Sequence, residues 1–360
     1  MTAKPNQNSM KPIPKYMTGM QLTCYGGLDM LVLKDDIAVP TPGPRDVLIK
    51  VGAAGVNNTD INTRIGWYAK SADDSSTASW SGNAFKFPRI QGADVCGVVV
   101  AVGAQADPKL LHQRVLVEPC LWEVDGKTLD QPWYFGSECD GGFAQYCVVA
   151  GRHAHVVNSP LSDVELASFP CSYSTAENML TRANVVAGDV LLVTGASGGV
   201  GSATIQLAKA RGAHVIALTA AAKLDAVLAL GADQSVERSA DLAQALGKNS
   251  VDVVIDLVAG PAWPSLLDVL KPFGRYAAAG AIGGHMVALD MRTIYLKDLS
   301  LFGCTVLGKN VFANLVQRIA SSAIKPLVAE TFALADLHLA QTQFETKAHI
   351  GKLVIDIGKL

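Results

Sequence analysis

VLLVTGASGGVGSATIQLAKARGAHVIALT, residues 190–219, decides the fold of this chain. It opens on a short apolar run, Val190 to Val193, which reads as a strand. A turn carrying Gly195, Gly198, Gly199 and Gly201 follows. An Ala-rich helical stretch then runs to Gly212, and AHVIALT reads as a second strand. Glycines between a strand and a helix let an anion approach the backbone, and the helix N-terminus offers it unpaired N–H groups and a partial positive charge. The spacing is GxxGxxG with an extra glycine, and strand, helix and second strand supply the context that a dinucleotide-binding turn requires. A tight structural turn is the plainer alternative. Gly195, Ser197, Gly198, Gly199, Val200 and Gly201 are the expected pyrophosphate contacts.

The rhythm continues downstream. AAKLDAVLALG reads as a helix, ADLAQALG as another, and SVDVVIDLV as a third strand. PAWPSLLDVLKPFG reads as a helix, with GRYAAAG and LSLFGCTV as a fourth and fifth strand. This alternation predicts an α/β fold with a doubly wound parallel sheet covered on both faces. The first half differs. DVLIKVGAAGV, ADVCGVVVAVG, RVLVEP and GGFAQYCVVA are β-rich runs split by glycine and proline, so a partly antiparallel β domain is expected. The C-terminal ETFALADLHLAQTQFETKAHIGKLVIDIG reads as strand, helix, strand that packs back on the first domain. The expected boundaries are a leader over 1–18, a β-rich domain over 19–157 and 307–360, and a dinucleotide-binding domain over 158–306. Two segments, the polar 71–83 and the longer 118–140, read as surface insertions, the second as an irregular lobe.

Composition narrows the function. The 360 residues are 49% hydrophobic and 17% charged, a core-rich chain and not a disordered one. Lys plus Arg is 30 against 32 Asp plus Glu, so no basic excess favours nucleic acid. No apolar run reaches the ~18 residues of a membrane span. Seven cysteines with scattered spacing, behind a polar N-terminus, suggest reduced thiols and a cytoplasmic location.

The cofactor type is read at the end of the second strand. An NAD site usually places an acid there to hold the ribose hydroxyls. Here Thr219 stands without one, and Lys223 follows, either to pair with a 2′-phosphate or as an ordinary solvated residue. NADPH is therefore the expected cofactor.

Several strings together resemble the medium-chain dehydrogenase/reductase superfamily. They are GVNNTDINTRIGWY (55–68), GADVCGVVVAVG (92–103), CDGGFAQYCVV (139–149), FPCSYSTAENML (169–180), the glycine turn, and HIGKLVIDI (349–357). The resemblance implies a GroES-like catalytic domain beside a Rossmann domain. It also poses the question of zinc. Zinc enzymes of the superfamily place a Cys before the Thr-Asp pair, where this chain has Asn58. They carry a His where it has Ala93 and a Cys that it keeps as Cys171. The lobe where relatives hold a second, structural zinc has only Cys120 and Cys139. No metal is expected, and the chain looks like the zinc-free quinone oxidoreductase and enoyl reductase branches. His153 and His155 read as surface or core histidines.

By resemblance, Asn57 and Asn58 line the nicotinamide end of the cleft, and either amide could donate to a substrate oxygen. Asp60 reads as a helix cap. Arg64 either clamps an acidic substrate or pairs with Asp60. Tyr68 matches the presumed proton donor of the enoyl reductases, or else packs at the cleft mouth. Tyr173, with Trp122 and Trp133, either walls a flat acceptor or packs internally. Val258, Gly280, Ile282 and Cys304 follow later strands and flank the cofactor in relatives. Lys352 stands near it in relatives or is a surface lysine. Three readings follow: an NADPH-dependent reductase of quinones or α,β-unsaturated carbonyls, a zinc-type alcohol dehydrogenase, and a non-catalytic NADPH-binding protein. An apolar strand near the sheet edge suggests a homodimer.

Overall fold

β-branched runs separated by glycine and proline form the strands of the first half. The computed structural model describes residues 12–69, 79–82 and 84–359. In chain order the elements are β1 (Tyr16–Leu22), β2 (Leu31–Ala38), β3 (Asp46–Gly55), α1 (Asn58–Arg64), β4 (Arg89–Ile90), β5 (Asp94–Val102), β6 (Arg114–Val117), β7 (Cys120–Val124), β8 (Lys127–Tyr134), β9 (Tyr146–Ala150) and β10 (Ala154–Val156). β1 lies between β2 and β4 in a small antiparallel sheet. Residues 1–11 and most of the 71–83 insertion lie outside the described residues. The expected leader ends earlier than residue 18, because β1 already pairs at Tyr16.

The lobe is not irregular. β7 and β8 form an antiparallel hairpin. Its turn residues Asp125 and Gly126 both have positive φ, 51° and 71°. That is the backbone of a two-residue turn matched to strand twist, and Asp-Gly is its sequence signature.

The middle of the chain follows as α2 (Asp163–Leu166), α3 (Pro170–Arg182), β11 (Val190–Val193), α4 (Gly199–Ala210), β12 (His214–Thr219), α5 (Leu224–Ala229), β13 (Gln234–Glu237), α6 (Leu242–Leu246), β14 (Val251–Asp256), α7 (Trp263–Val269), β15 (Leu270–Ala278), α8 (Met291–Leu296) and β16 (Ser300–Gly303). The sheet order is β13-β12-β11-β14-β15-β16, parallel throughout. This is the 3-2-1-4-5-6 order of a dinucleotide-binding sheet. Alternate residues of its apolar strands enter two cores. Leu191, Val193, Val253 and Ile255 pack on one face, and Leu192, Ile216 and Val254 on the other. That two-sided burial explains the unbroken apolar runs.

Two boundaries differ from expectation. β13 is a sixth strand, because the polar QSVE pairs with β12 at the sheet edge. The helix expected over 261–274 stops at Val269, and β15 begins at Leu270. Pro272 lacks a ladder donor, and the register shifts before Arg275.

The chain returns through α9 (Val311–Ala320), β17 (Val328–Ala333), α10 (Leu337–Glu345) and β18 (Lys352–Asp356). α9 buries Phe312, Leu315 and Ile319 in the core that α3 and one face of the parallel sheet share. β18 pairs with β3 and β17, completing a sheet ordered β10-β6-β5-β3-β18-β17 with β9 also on β3. The segment that leads into β18 thereby reaches the glycine turn, where Gly351 N–H donates to the Ser197 carbonyl at 3.2 Å. Among the described residues no helix is long and apolar enough to cross a membrane.

Candidate active site

The glycine turn lies at the carboxyl end of β11, where ligands of doubly wound sheets sit. Gly195 adopts φ 58°, a conformation that a side chain would strain. A Cβ on Gly201 would stand 2.3 Å from the Gly195 carbonyl oxygen, so only glycine lets α4 pack against the turn. Gly198, in contrast, has only that carbonyl within 4 Å, and its backbone is open. The first-turn amides of α4, at Gly199, Val200 and Gly201, have no acceptor within the helix. Buried Asp256 shapes the neighbouring turn. It accepts from Thr194 Oγ1 at 2.7 Å and from the amides of Val258 and Ala259 at 2.9 and 3.0 Å. That bonding holds Val258 at the end of β14.

Two cavities open here, of about 600 and about 200 Å³. They share Asn57, Asn58, Val200, Gly280 and Ile282, so they are two parts of one cleft. Gly195, Gly198, Gly199, Gly201, Val258 and Lys352 line the smaller part, and Tyr68 and Cys304 the larger. Ser197, Thr219 and Lys223 are not among the residues lining either part. Lys223 Nζ donates to the carbonyls of Lys347 and His349 at 2.7 and 2.8 Å, and those two residues line the smaller part. Arg238 lies near enough to Lys223 to help lower its pKa, after burial. Burial also lowers Lys347 to about 8 and His349 to about 4. The acid closest in register, Glu237, pairs with Thr219 on the edge strand and is held by the Ser239 amide at 3.0 Å. An open glycine turn and free helix amides suit the pyrophosphate of a dinucleotide.

The resemblance raises a catalytic zinc, and the donors do not fit one. Asn57 N–H and Gly92 N–H donate to the Asp60 carboxylate at 2.7 and 3.2 Å, which fixes the start of α1. Burial pushes that carboxyl up to about 7. Asn57, rather than Asn58, therefore faces Asp94 and Cys171. Its amide donates to Asp94 Oδ2 at 2.8 Å and to the Gly55 carbonyl at 3.3 Å. Its Oδ1 accepts from Lys352 Nζ at 2.6 Å. Lys352 Nζ also donates to Val56 O at 2.9 Å and forms an ion pair with Asp94 at 2.7 Å. The Cys171 amide bonds the other Asp94 oxygen. Cys171 Sγ lies 2.9 Å from Tyr134 Oη, and burial pushes its thiol up to about 12. One protonated thiol, an amide and a carboxylate already neutralised by an ammonium do not make a three-ligand zinc site. His153 and His155 both bond Glu118 Oε2, at 3.1 and 3.3 Å, and hold its pKa down despite its burial. His153 Nε2 accepts from the Trp122 and Glu123 amides, so this cluster fastens the hairpin.

Several expected roles change. Asn57 has both amide hydrogens engaged and cannot donate to a substrate; Lys352 is buried beside it and not a surface residue. Asn58 accepts from Lys347 Nζ at 2.9 Å and keeps its amide nitrogen without a partner among the described residues. Arg64 neither faces the cleft nor pairs with Asp60. It is buried and bonds Gln341, the Gly26 carbonyl and Glu345, tying α1 to α10. Tyr173 is 1% exposed, with its hydroxyl on the Lys325 carbonyl and Gln206, so it lines no substrate cavity. Trp133 packs against the first domain's core. The aromatic wall is instead Trp67, Tyr68, Trp80 and Tyr134. The Trp80 and Tyr134 rings stack at 4.9 Å. The Trp80 amide donates to Ser137 Oγ at 3.2 Å, which ties Trp80 to the segment that follows the hairpin. Tyr68 packs edge-on to Trp67, and its hydroxyl bonds the Asn62 side chain. Burial raises the phenol above its ordinary value.

Comparison with known proteins agrees with this arrangement. Residues 43–160 match the family described as alcohol dehydrogenase GroES-like domain, and residues 199–321 the one described as zinc-binding dehydrogenase. An NADPH-dependent alkenal/one oxidoreductase of Arabidopsis thaliana is 30% identical over 98% of this chain and 83% of its own length. A human quinone oxidoreductase is 29% identical over 81% of each chain. A 2-methylene-furan-3-one reductase of Solanum lycopersicum is 35% identical over 68% of this chain, which spans 58% of that protein. A crystal structure of a Sinorhizobium meliloti protein, named for alcohol dehydrogenase, superimposes with TM-score 0.89 at 46% identity over 96% of this chain and 98% of that one. A solved NAD-dependent alcohol dehydrogenase gives 0.84 at 27% identity over 95% and 100%.

Proposed function

The chain belongs to the medium-chain dehydrogenase/reductase superfamily, and from that premise we propose that it is an NADPH-dependent reductase of quinones or α,β-unsaturated carbonyls that works without catalytic zinc. The observation that carries this reading is the Lys352 ammonium bonded to Asp94, Asn57 and Val56 beside Cys171. It neutralises the carboxylate and engages the amide that would otherwise be left to a metal. The names of the alkenal/one and quinone oxidoreductase relatives point the same way.

The Gly195–Gly201 turn and α4 would hold the pyrophosphate, with Val258, Gly280, Ile282 and Cys304 along the rest of the cleft. Lys223 and Arg238 would take the 2′-phosphate beyond Thr219, and Lys347, bonded to Asn58, stands on the other side of the smaller cavity beside the pyrophosphate turn. When bound, the dinucleotide supplies a hydride. Conjugated acceptors take hydride at carbon, so they need less polarisation of the carbonyl oxygen than a plain ketone. Asn58 is placed to donate a hydrogen bond to that oxygen. Tyr68 would give a proton to the enolate left by hydride addition, which is a stronger base than a phenolate and can take it although burial makes this phenol a weaker acid. Trp67, Trp80 and Tyr134 exclude water and offer flat faces to a planar acceptor.

We further propose a homodimer through β16. It is the outer strand of the sheet, and Leu301 and the adjacent Met291, Tyr295 and Leu296 of α8 are exposed. The seven free thiols suit a reducing cytoplasm. Tight NADPH binding without turnover of any quinone or enone would favour the non-catalytic reading instead. Steady-state oxidation of NADPH by a panel of such acceptors, with NADH as control, tests the proposal. Light scattering tests the dimer.

A further inference from the structure

Val200, Gly280, Ile282 and Cys304 give their share of the larger cavity to the dinucleotide. The acceptor is left the part walled by Trp67, Tyr68, Trp80 and Tyr134. Two of these rings are held as a pair. Trp80 and Tyr134 stack with centroids 4.9 Å apart and planes 30° from parallel.

Glu138 joins their backbones. Its Oε2 accepts from the Tyr134 N–H at 2.8 Å, and its Oε1 from the N–H of Ser81, the neighbour of Trp80, at 2.7 Å. The Trp80 N–H itself donates to Ser137 Oγ. The N–H groups of Ser137 and Glu138 turn back to the Tyr134 carbonyl at 3.0 and 3.2 Å, which keeps the carboxylate beside the ring it serves. At the far end of that ring, Tyr134 Oη meets Cys171 Sγ at 2.9 Å. Glu138 has no ion-pair partner among the described residues, so the two backbone amides are what its carboxylate holds. Hydrogen bonds to an ionised acceptor are roughly twice as strong as neutral ones. The rings are therefore fixed before an acceptor arrives, and a guest does not have to order them. An aromatic guest gains more from such rings than its buried area gives, because stacked and edge-on contacts add to it. A saturated ring of similar size gains the area alone.

We propose that Trp80 determines specificity and that Glu138 is the positioning residue that holds it, so that the pocket prefers conjugated carbonyls bearing an aryl ring to those bearing a saturated one. This specificity rests on the reductase reading above. A clasp that merely fastened the chain would change stability and affect all acceptors alike.

The test compares 4-phenylbut-3-en-2-one with 4-cyclohexylbut-3-en-2-one. In the wild-type protein the KM of the aryl enone should be about three- to tenfold the lower, the worth of an aromatic contact beyond its area. Trp80→Leu should bring the ratio to about one, and Trp80→Phe should keep part of it. Glu138→Gln keeps the shape but leaves one accepting atom of two. It should lower the ratio in the wild-type background and change it no further beside Trp80→Leu. A wild-type ratio near one, or one that survives Trp80→Leu, overturns the proposal and leaves the reductase reading intact. A ratio that Glu138→Gln leaves unchanged, with both KM values moving together or neither moving, overturns the positioning role. If no acceptor is reduced, the reductase reading fails, and calorimetry with the saturated ketones 4-phenylbutan-2-one and 4-cyclohexylbutan-2-one decides for Trp80. Tighter binding of the first by the wild type and not by Trp80→Leu supports the paired rings, and equal affinity or no binding overturns them.

Discussion

Replacing Lys352 by methionine tests the arrangement that stands in the metal's place. Lys352 and Asp94 are 3% and 0% exposed, and their charged atoms are 2.7 Å apart. The substitution keeps the apolar stem and removes the ammonium. Asp94 is then a buried carboxylate with only the Asn57 amide and the Cys171 N–H to satisfy it. The Asn57 oxygen and the Val56 carbonyl lose a donor as well. Breaking a buried pair from one side costs about 3–5 kcal/mol, most of it the uncompensated charge. Urea unfolding followed by tryptophan fluorescence should therefore show a large fall in stability. Asp94→Asn combined with Lys352→Met removes both charges of the pair and should recover at least about 2 kcal/mol relative to the sum of the single losses. A loss below about 1 kcal/mol for Lys352→Met is the behaviour of a solvated surface pair. Either that result or strict additivity in the double variant refutes the reasoning.

Tyr68→Phe should lower kcat by about a hundredfold or more, the usual worth of a positioned general acid, with NADPH affinity retained in a fluorescence titration. Gly201→Ala drives a methyl group into the Gly195 carbonyl; about 1–3 kcal/mol of stability and most NADPH affinity should go with it. Lys223→Ala should weaken NADPH about tenfold, the scale of one lost charge-assisted contact, and leave the NADH dissociation constant alone. Burial lowers Lys347 to about 8, with Glu345 opposing, and the same fluorescence titration run across pH reads the consequence. Below that pH Lys347 is charged, so NADPH should bind well there and progressively less tightly above it. His349 is neutral throughout this range, and NADH, which carries the same pyrophosphate, should lose affinity in parallel.

The glycine turn was legible because its chemistry is local. Strand, turn and helix adjoin in sequence, and Gly201 answers a contact with Gly195 six residues before it. The hairpin at 120–134 was equally local, since Asp125-Gly126 signals its turn, and reading the segment as irregular overlooked that pair. QSVE gave no apolar pattern because an edge strand of four residues needs none. The site's polar core was not legible at all. Lys352 reaches Asp94 only because β18 lies beside β3, and Arg64 finds Gln341 and Glu345 through the same return of the chain. Nothing near either residue in sequence names its partner. The aromatic wall failed for a related reason. Which side of a strand faces the cleft depends on register, so Tyr134 lines it while the adjacent Trp133 packs in the core. Trp80 takes its place through contacts with the hairpin.

The central claim is hydride transfer from NADPH to a conjugated acceptor without a metal. Metal-stripped protein should be mixed with NADPH and a quinone or enone, and the loss of NADPH absorbance followed with and without added zinc. The account predicts turnover in the stripped protein, preference for NADPH over NADH, and no gain from zinc. Activity that appears only when zinc is restored would contradict it.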